Sequence, residues 1–273
     1  MLLRVDNVSK YYYQKGARFF KEKVTILDAL SFNIQKGEAF GLVGESGSGK
    51  STLARLISGL ELPDQGAIYL NDKPVTKRCY RQGVISIVFQ DHIASVNPTF
   101  TVGEMIAEPI KLINPTLRHN ELETIIFSFL EKVQLPKSCY QRYIFELSGG
   151  QAQRVCLCRA LASYPQLIIL DEAISSLDIP TQVEILDLLK LLKEELQLSY
   201  LFISHDIQTV TYFCDKVMFI LQGQQIELCE INKLSTVTHP YAKKLIQSVI
   251  YSTSNNVLSH HCLLYLLYLE IIH

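Results

Sequence analysis

The stretch Gly44-Glu45-Ser46-Gly47-Ser48-Gly49-Lys50-Ser51-Thr52 constrains this chain more than any other. It fits G-x-x-x-x-G-K-[ST], a loop whose glycines let the backbone turn tightly and aim N–H groups at phosphate oxygens. The flanks agree with that reading. Ala39-Phe40-Gly41-Leu42-Val43 is a short apolar run that reads as a buried strand. Leu53, Leu56, Ile57 and Leu60 then recur at i, i+3, i+4 and i+7, the apolar face of a helix. A helix beginning at the loop adds its own unpaired N–H groups and the positive end of its dipole. In such a loop Lys50 reaches the β- and γ-phosphates of a nucleotide and Ser51 ligates Mg²⁺. A merely flexible glycine loop would require neither the strand before it nor the helix after it.

The rest of the chain alternates strand and helix around this unit. Residues 1–36 read as β-structure, opened by Leu3, Val5 and Val8 and continued by the apolar run from Ile26 to Ile34. Tyr11-Tyr12-Tyr13 reads equally well as a half-buried strand or as a strand with one ring stacked on a purine. Gly66 to Leu70 followed by Asn71-Asp72 is a strand and turn, and Val84 to Phe89 is a buried strand ending at Gln90. From about Thr101 to Ser163 the pattern turns helical, with Leu122, Ile125, Ile126, Phe129, Leu130 and Val133 at helical spacing. This stretch interrupts the alternation and is expected to be an inserted helical subdomain, about 92–163. Leu167 to Leu170 and Tyr200 to Ser204 are further buried strands. Pro180 stands early in a leucine-rich helix, where proline is tolerated. Two strands around Gln222-Gly223 and a helix begun by His239-Pro240-Tyr241 complete a body of residues 1–250, with 251–273 as a C-terminal tail.

In open parallel sheets, ligands gather beyond the carboxyl ends of the strands. Here those ends carry polar residues suited to nucleotide hydrolysis. Gln90 is an amide for Mg²⁺ and an attacking water. Asp171 follows four apolar residues, the place from which a carboxylate holds Mg²⁺. Glu172 beside it can orient or deprotonate the water, and His205 can meet the γ-phosphate. Singly, such residues are more often a solvated turn or a structural histidine; together, in this order, they make a site.

That order resembles the ATP-binding cassette family across nearly the whole chain. Leu147-Ser148-Gly149-Gly150-Gln151 is identical to the family's signature motif. Leu170-Asp171-Glu172 is similar to its Walker B end and catalytic glutamate, Ser176-Leu177-Asp178 to its D-loop, Ser204-His205-Asp206 to its switch histidine, and Gln90 to its Q-loop glutamine. Aligned on Val8-Ser9-Lys10, Tyr12 falls where the family places its adenine-stacking aromatic, with Tyr11 and Tyr13 as rivals. The resemblance implies an α/β P-loop ATPase core with an antiparallel β-subdomain and an inserted helical subdomain. It implies ATP and Mg²⁺, with Ser51, Gln90 and Asp171 toward the metal, and with Ser148, Gly149, Gly150 and Gln151 closing over the γ-phosphate held by a second ATPase subunit.

A narrower resemblance, to the oligopeptide, dipeptide and nickel import group, rests on Val88 to Asp91, on Ser95-Val96-Asn97-Pro98 and on His239 to Leu245. Residues Gln153 to Leu161 and Phe213 to Met218 look most like nickel or metallophore ATPases. The resemblance implies a subunit on the cytoplasmic face of the membrane, docked to two permease subunits and served by an extracellular solute-binding protein, with a related ATPase as its partner. Chromosome and repair ATPases that share the signature carry long coiled coils, and no sustained heptad run is seen here. Tandem translation factors carry two cassettes, and this chain has one P-loop and one signature. A non-catalytic regulator would not need Glu172 and His205. Ala152 and Ile174 depart from common family residues, and neither carries chemistry.

Bulk properties exclude other classes. A net charge of −1 in 273 residues leaves no broad basic footprint, so nucleic acid is not an expected partner. The seven cysteines show no paired C-x-x-C spacing, so neither a zinc site nor a disulfide framework is expected, and free thiols fit a reducing compartment. The start of the chain lacks a signal-peptide pattern, and the leucine-rich run 263–269 is too short to span a bilayer. His260, His261 and Cys262 lack the spaced partners of a closed metal site.

Overall fold

A computed structural model describes residues 1–15, 21–90 and 95–254. The chain divides into two compact units, Met1–Tyr80 with the segment from Leu201 onward, and Arg81–Tyr200.

In the first unit, β1 (Leu3–Lys15), β2 (Lys21–Ile34), β4 (Gln65–Leu70) and β5 (Lys73–Pro74) form an antiparallel sheet in the order β2-β1-β4-β5. Leu3, Val5, Val8, Leu27, Leu30 and Ile34 are buried, as alternation in a sheet with one covered face requires. Asn71 and Asp72, both at positive φ (+49° and +59°), make the tight turn between β4 and β5. The same unit holds β3 (Ala39–Val43), β8 (Ser199–Ser204, from Leu201 onward), β9 (Lys216–Leu221) and β10 (Gln224–Glu230), ordered β10-β9-β3-β8. β3 and β9 are parallel, and β10 runs antiparallel to β9. Every residue of β3 and β8 is buried, which explains why both read as continuous apolar runs rather than alternating ones.

The helices of this unit are α1 (Lys50–Ile57), α2 (Arg78–Arg81), α7 (Ile207–Phe213) and α8 (Pro240–Ser254). Leu53, Leu56 and Ile57 are buried on α1, as their spacing predicts. Leu60 is not on that face. The helix ends at Ile57, Gly59 turns at φ +68°, the Leu60 N–H returns to the Arg55 carbonyl, and the Leu60 side chain is exposed. Glycine just past a helix end is a common terminator, and the periodic pattern ran past it. The backbone of α8 continues to Ser254, four residues past the expected end of the body at 250. The His260, His261 and Cys262 cluster lies outside the described residues.

The second unit carries the parallel pair β6 (Ile85–Phe89) and β7 (Leu167–Asp171), with α3 (Val102–Ile113), α4 (His119–Lys132), α5 (Gly149–Leu161) and α6 (Ile179–Leu196). Between α4 and α5 lie short 3₁₀ turns at Lys137–Gln141 and Ile144–Glu146. Helix starts are encoded locally. Thr101 and Glu104 form a reciprocal capping box on α3, and Asp178 caps α6 with Pro180 in its first turn. Arg154 on α5 ties three elements: it donates to the Val133 carbonyl at 3.2 Å and to Gln134 at 2.9 Å, and pairs with Glu184 of α6 at 3.2 Å. Arg159 reaches Glu108 of α3 at 2.9 Å. These contacts hold the signature helix among its neighbours.

Candidate active site

In the first unit the glycine loop leaves β3 and enters α1 as expected. Gly47 and Gly49 adopt φ of +82° and +100°, which L side chains rarely take, so both glycines are backbone requirements. A Cβ at Gly44 would lie 2.4 Å from the Ile220 carbonyl oxygen, so the loop is pressed against β9. The Gly223 N–H, in the turn after β9, donates to the Ser48 carbonyl at 3.1 Å. Glu45, Ser46, Gly47 and Ser51 are exposed, whereas Gly44, Ser48, Gly49, Lys50 and Thr52 are buried.

Lys50 is only 4% exposed, and its ammonium donates to the carbonyls of Gly44 at 2.7 Å and Glu45 at 2.9 Å. The Ser48 hydroxyl is buried with no hydrogen-bond partner among the described residues, and no side chain caps α1 at Gly49. A buried cation, an orphaned hydroxyl and a helix start without a side-chain cap together make a cradle suited to anionic oxygens, the chemistry a nucleoside triphosphate supplies.

Tyr12 separates itself from its neighbours. Its hydroxyl donates to Glu61 at 2.6 Å and also hydrogen-bonds the Thr52 side chain on α1; burial first, then the Glu61 bond, raises its pKa. Tyr11 points to the other side of β1, where the Lys23 ammonium sits 3.5 Å from its ring centre, and Tyr13 is 66% exposed. Of the three, Tyr12 is the one in contact with the P-loop helix. His205 follows β8 directly and is exposed. After it, Asp206 caps α7, accepting the Gln208 N–H at 2.9 Å, while its own N–H goes to the Ser204 hydroxyl at 3.0 Å.

In the second unit the β6–β7 register sets Phe89 opposite Asp171. Gln90 and Glu172, one residue beyond each, therefore leave the same end of the same parallel pair. Asp171 is 7% exposed and Gln90 is exposed. Glu172 sits at φ +49°, a left-handed conformation costly for a residue with a Cβ. The turn that imposes it runs back from Ser175, whose N–H and hydroxyl both donate to the Glu172 carbonyl. Backbone strain of this kind concentrates where a side chain must be aimed.

At the signature, the Ser148 hydroxyl accepts the Gln151 N–H and the Gln151 side chain accepts the Ser148 N–H, a closed capping box. A Cβ at Gly150 would lie 2.7 Å from the Thr181 methyl of α6, and one at Gly149 would lie 3.4 Å from Leu177. The glycines thus let α5 start close against the Ser176-Leu177-Asp178 turn. Burial pushes the Cys156 thiol of α5 up to about 12 and raises Cys158 as well, so these are packed thiols rather than nucleophiles. Among the described residues no His, Cys, Asp and Glu cluster forms a metal site and no helix is long and apolar enough to cross a membrane.

Comparison with known proteins settles the family. Residues 27–175 match the ABC transporter family. The chain belongs to that family. It is an ATP-binding, ATP-hydrolysing cassette. The chain is 40% identical over 247 residues to the metal-staphylopine import system ATP-binding protein CntF of Staphylococcus aureus, spanning 90% of this chain and 98% of that one. It is 38% identical to the dipeptide transport ATP-binding protein DppF of Haemophilus influenzae, over 90% of this chain and 77% of that protein. Among solved structures, the ATP-binding cassette MJ0796, a dimer in a post-hydrolysis state bound to ADP and Pi, superposes with a TM-score of 0.75 at 27% identity, covering 84% of this chain and 99% of the cassette. The ABC fold, with its mixed sheets and interposed helices, is the one expected from the sequence.

A further hold on the loop is not visible in the sequence. The Tyr241 hydroxyl accepts the Glu45 N–H at 2.9 Å across 196 residues of chain. His239-Pro240-Tyr241 stands out in the sequence as a motif, but nothing local tells where its tyrosine goes.

Proposed function

We propose that this cassette energises an importer for a transition metal such as nickel or cobalt, free or as a metal–metallophore complex. The observation that carries this reading is the end-to-end similarity to the metal-staphylopine import ATPase, which spans 98% of that protein. A dipeptide or oligopeptide cargo is the second reading, favoured by the similarity to the dipeptide transport protein.

In this proposal Tyr12 stacks on the adenine, the loop from Gly44 to Thr52 holds the phosphates, and Lys50 turns its ammonium to the β- and γ-phosphates. Ser51, Gln90 and Asp171 hold Mg²⁺, which when bound neutralises phosphate charge. Glu172 orients the attacking water or takes its proton, and His205 contacts the γ-phosphate. Ser148, Gly149, Gly150 and Gln151 meet the nucleotide of a second, related ATPase subunit, their helix start being an anion-binding end. The working assembly is that pair at the cytoplasmic face of the membrane, with two permease subunits and an extracellular solute-binding protein. The test is uptake in a deletion strain. Loss of nickel or cobalt accumulation under metal limitation, exceeding any loss of peptide uptake, supports the metal reading. Normal metal uptake with failure to grow on peptides as sole nitrogen source overturns it in favour of peptides.

A further inference from the structure

The contact between Tyr241 and the P-loop is supported from behind. Glu227 on β10 accepts the N–H groups of Thr238 at 2.9 Å and His239 at 3.0 Å, and His239 Nδ1 accepts the Tyr241 N–H at 3.2 Å. Burial works to raise the Glu227 carboxyl, but those hydrogen bonds outweigh it and hold it below its ordinary value, so it is a charged acceptor at neutral pH. The turn that carries Tyr241 is thereby fixed to β10. β10 is paired to β9, and β9 presses its Ile220 carbonyl against Gly44, while the turn after it gives the Gly223 N–H to Ser48. Of these three holds on the loop, two are backbone, and Tyr241 is the side chain.

We propose that Tyr241 is a positioning residue for the nucleotide. By accepting the Glu45 N–H, its hydroxyl holds the entry of the glycine loop in the shape that leaves the later N–H groups and Lys50 for the triphosphate, and so sets nucleotide affinity. A loop with glycines at φ +82° and +100° has many conformations open to it, and one already ordered loses less entropy on binding. The inference rests on the reading of the loop as the ATP site.

Tyr241→Phe removes one oxygen and keeps the ring. In the full chain, ATP should bind about 3- to 10-fold more weakly, the range of one net hydrogen bond. KM for ATP should rise by a similar factor with kcat at saturation retained, because the hydroxyl touches no reacting atom. Glu45→Pro removes the N–H donor instead, since proline has no backbone N–H. In the Glu45→Pro background, Tyr241→Phe should add no further loss. Lys50→Ala separates the inference from the site reading. If Lys50→Ala binds ATP normally, both are overturned. If Lys50→Ala loses binding while Tyr241→Phe binds like the parent, or loses as much in the Glu45→Pro background as alone, the positioning role alone is overturned.

Discussion

Gln153 is the residue of this chain whose substitution should most clearly raise stability. It lies on α5, two residues past the signature, and is fully buried. Neither its amide oxygen nor its amide nitrogen has a hydrogen-bond partner among the described residues. A buried amide without partners costs about 1–3 kcal/mol, because both ends leave water and gain nothing in return. Methionine has nearly the same length and a similar helix propensity, and its flexible thioether fills irregular space. Gln153→Met therefore removes the penalty without opening a cavity, and should stabilise by about 1–3 kcal/mol. Urea unfolding followed by circular dichroism reads this as a higher midpoint at unchanged slope; for a slope of about 2–3 kcal/mol/M, a gain of about 2 kcal/mol moves the midpoint by about 0.7–1 M. Gln153→Glu is the control and should be strongly destabilising, since it buries a charge with no partner. An unchanged or lower midpoint for Gln153→Met would refute the reasoning, because the amide must then hold a partner such as a buried water.

Two further outcomes follow from the site. Glu172→Gln keeps shape and hydrogen-bonding capacity but loses the charge, so ATP should still bind while turnover falls by a factor of roughly 10² or more; near-normal turnover in steady-state assays would remove Glu172 from catalysis. Ser148→Arg places a large side chain at the exposed start of α5. It should leave ATP binding to the isolated chain intact and abolish ATP-driven pairing, measured by sedimentation; outright loss of ATP binding would show that the signature acts on its own chain's nucleotide.

Much of the site was legible because its requirements are local. The glycine loop needs positive φ at set positions, and only glycine meets that need cheaply, so the pattern from Gly44 to Thr52 is visible in nine consecutive residues. The capping box of Ser148 with Gln151, and the cap of Asp178 with Thr181, close within three residues, and the apolar runs ending at Gln90 and Asp171 announce strands, of which β7 is buried throughout while β6, expected to be buried, is half-buried except at Val88. The helical reach of Leu60 failed for an equally local reason: periodicity counts apolar residues but does not weigh the glycine that ends α1 at its own φ of +68°.

What only the tertiary structure decided are contacts that close long loops. Three consecutive tyrosines are alike in sequence; the pleat of β1 and its place beside α1 bring Tyr12, not Tyr11 or Tyr13, to Glu61 and Thr52. The chain carries 14 tyrosines, and nothing near Tyr241 says that its hydroxyl will meet the backbone of Glu45. The solitude of Gln153 is equally invisible, since glutamine is ordinarily a surface residue and only the packing around α5 excludes water from it. A motif is a demand that a few neighbouring residues make on their own backbone, and composition reveals it. A long-range contact is a choice among many chemically equivalent side chains, made by the order of strands in the sheet and by what the core leaves in reach.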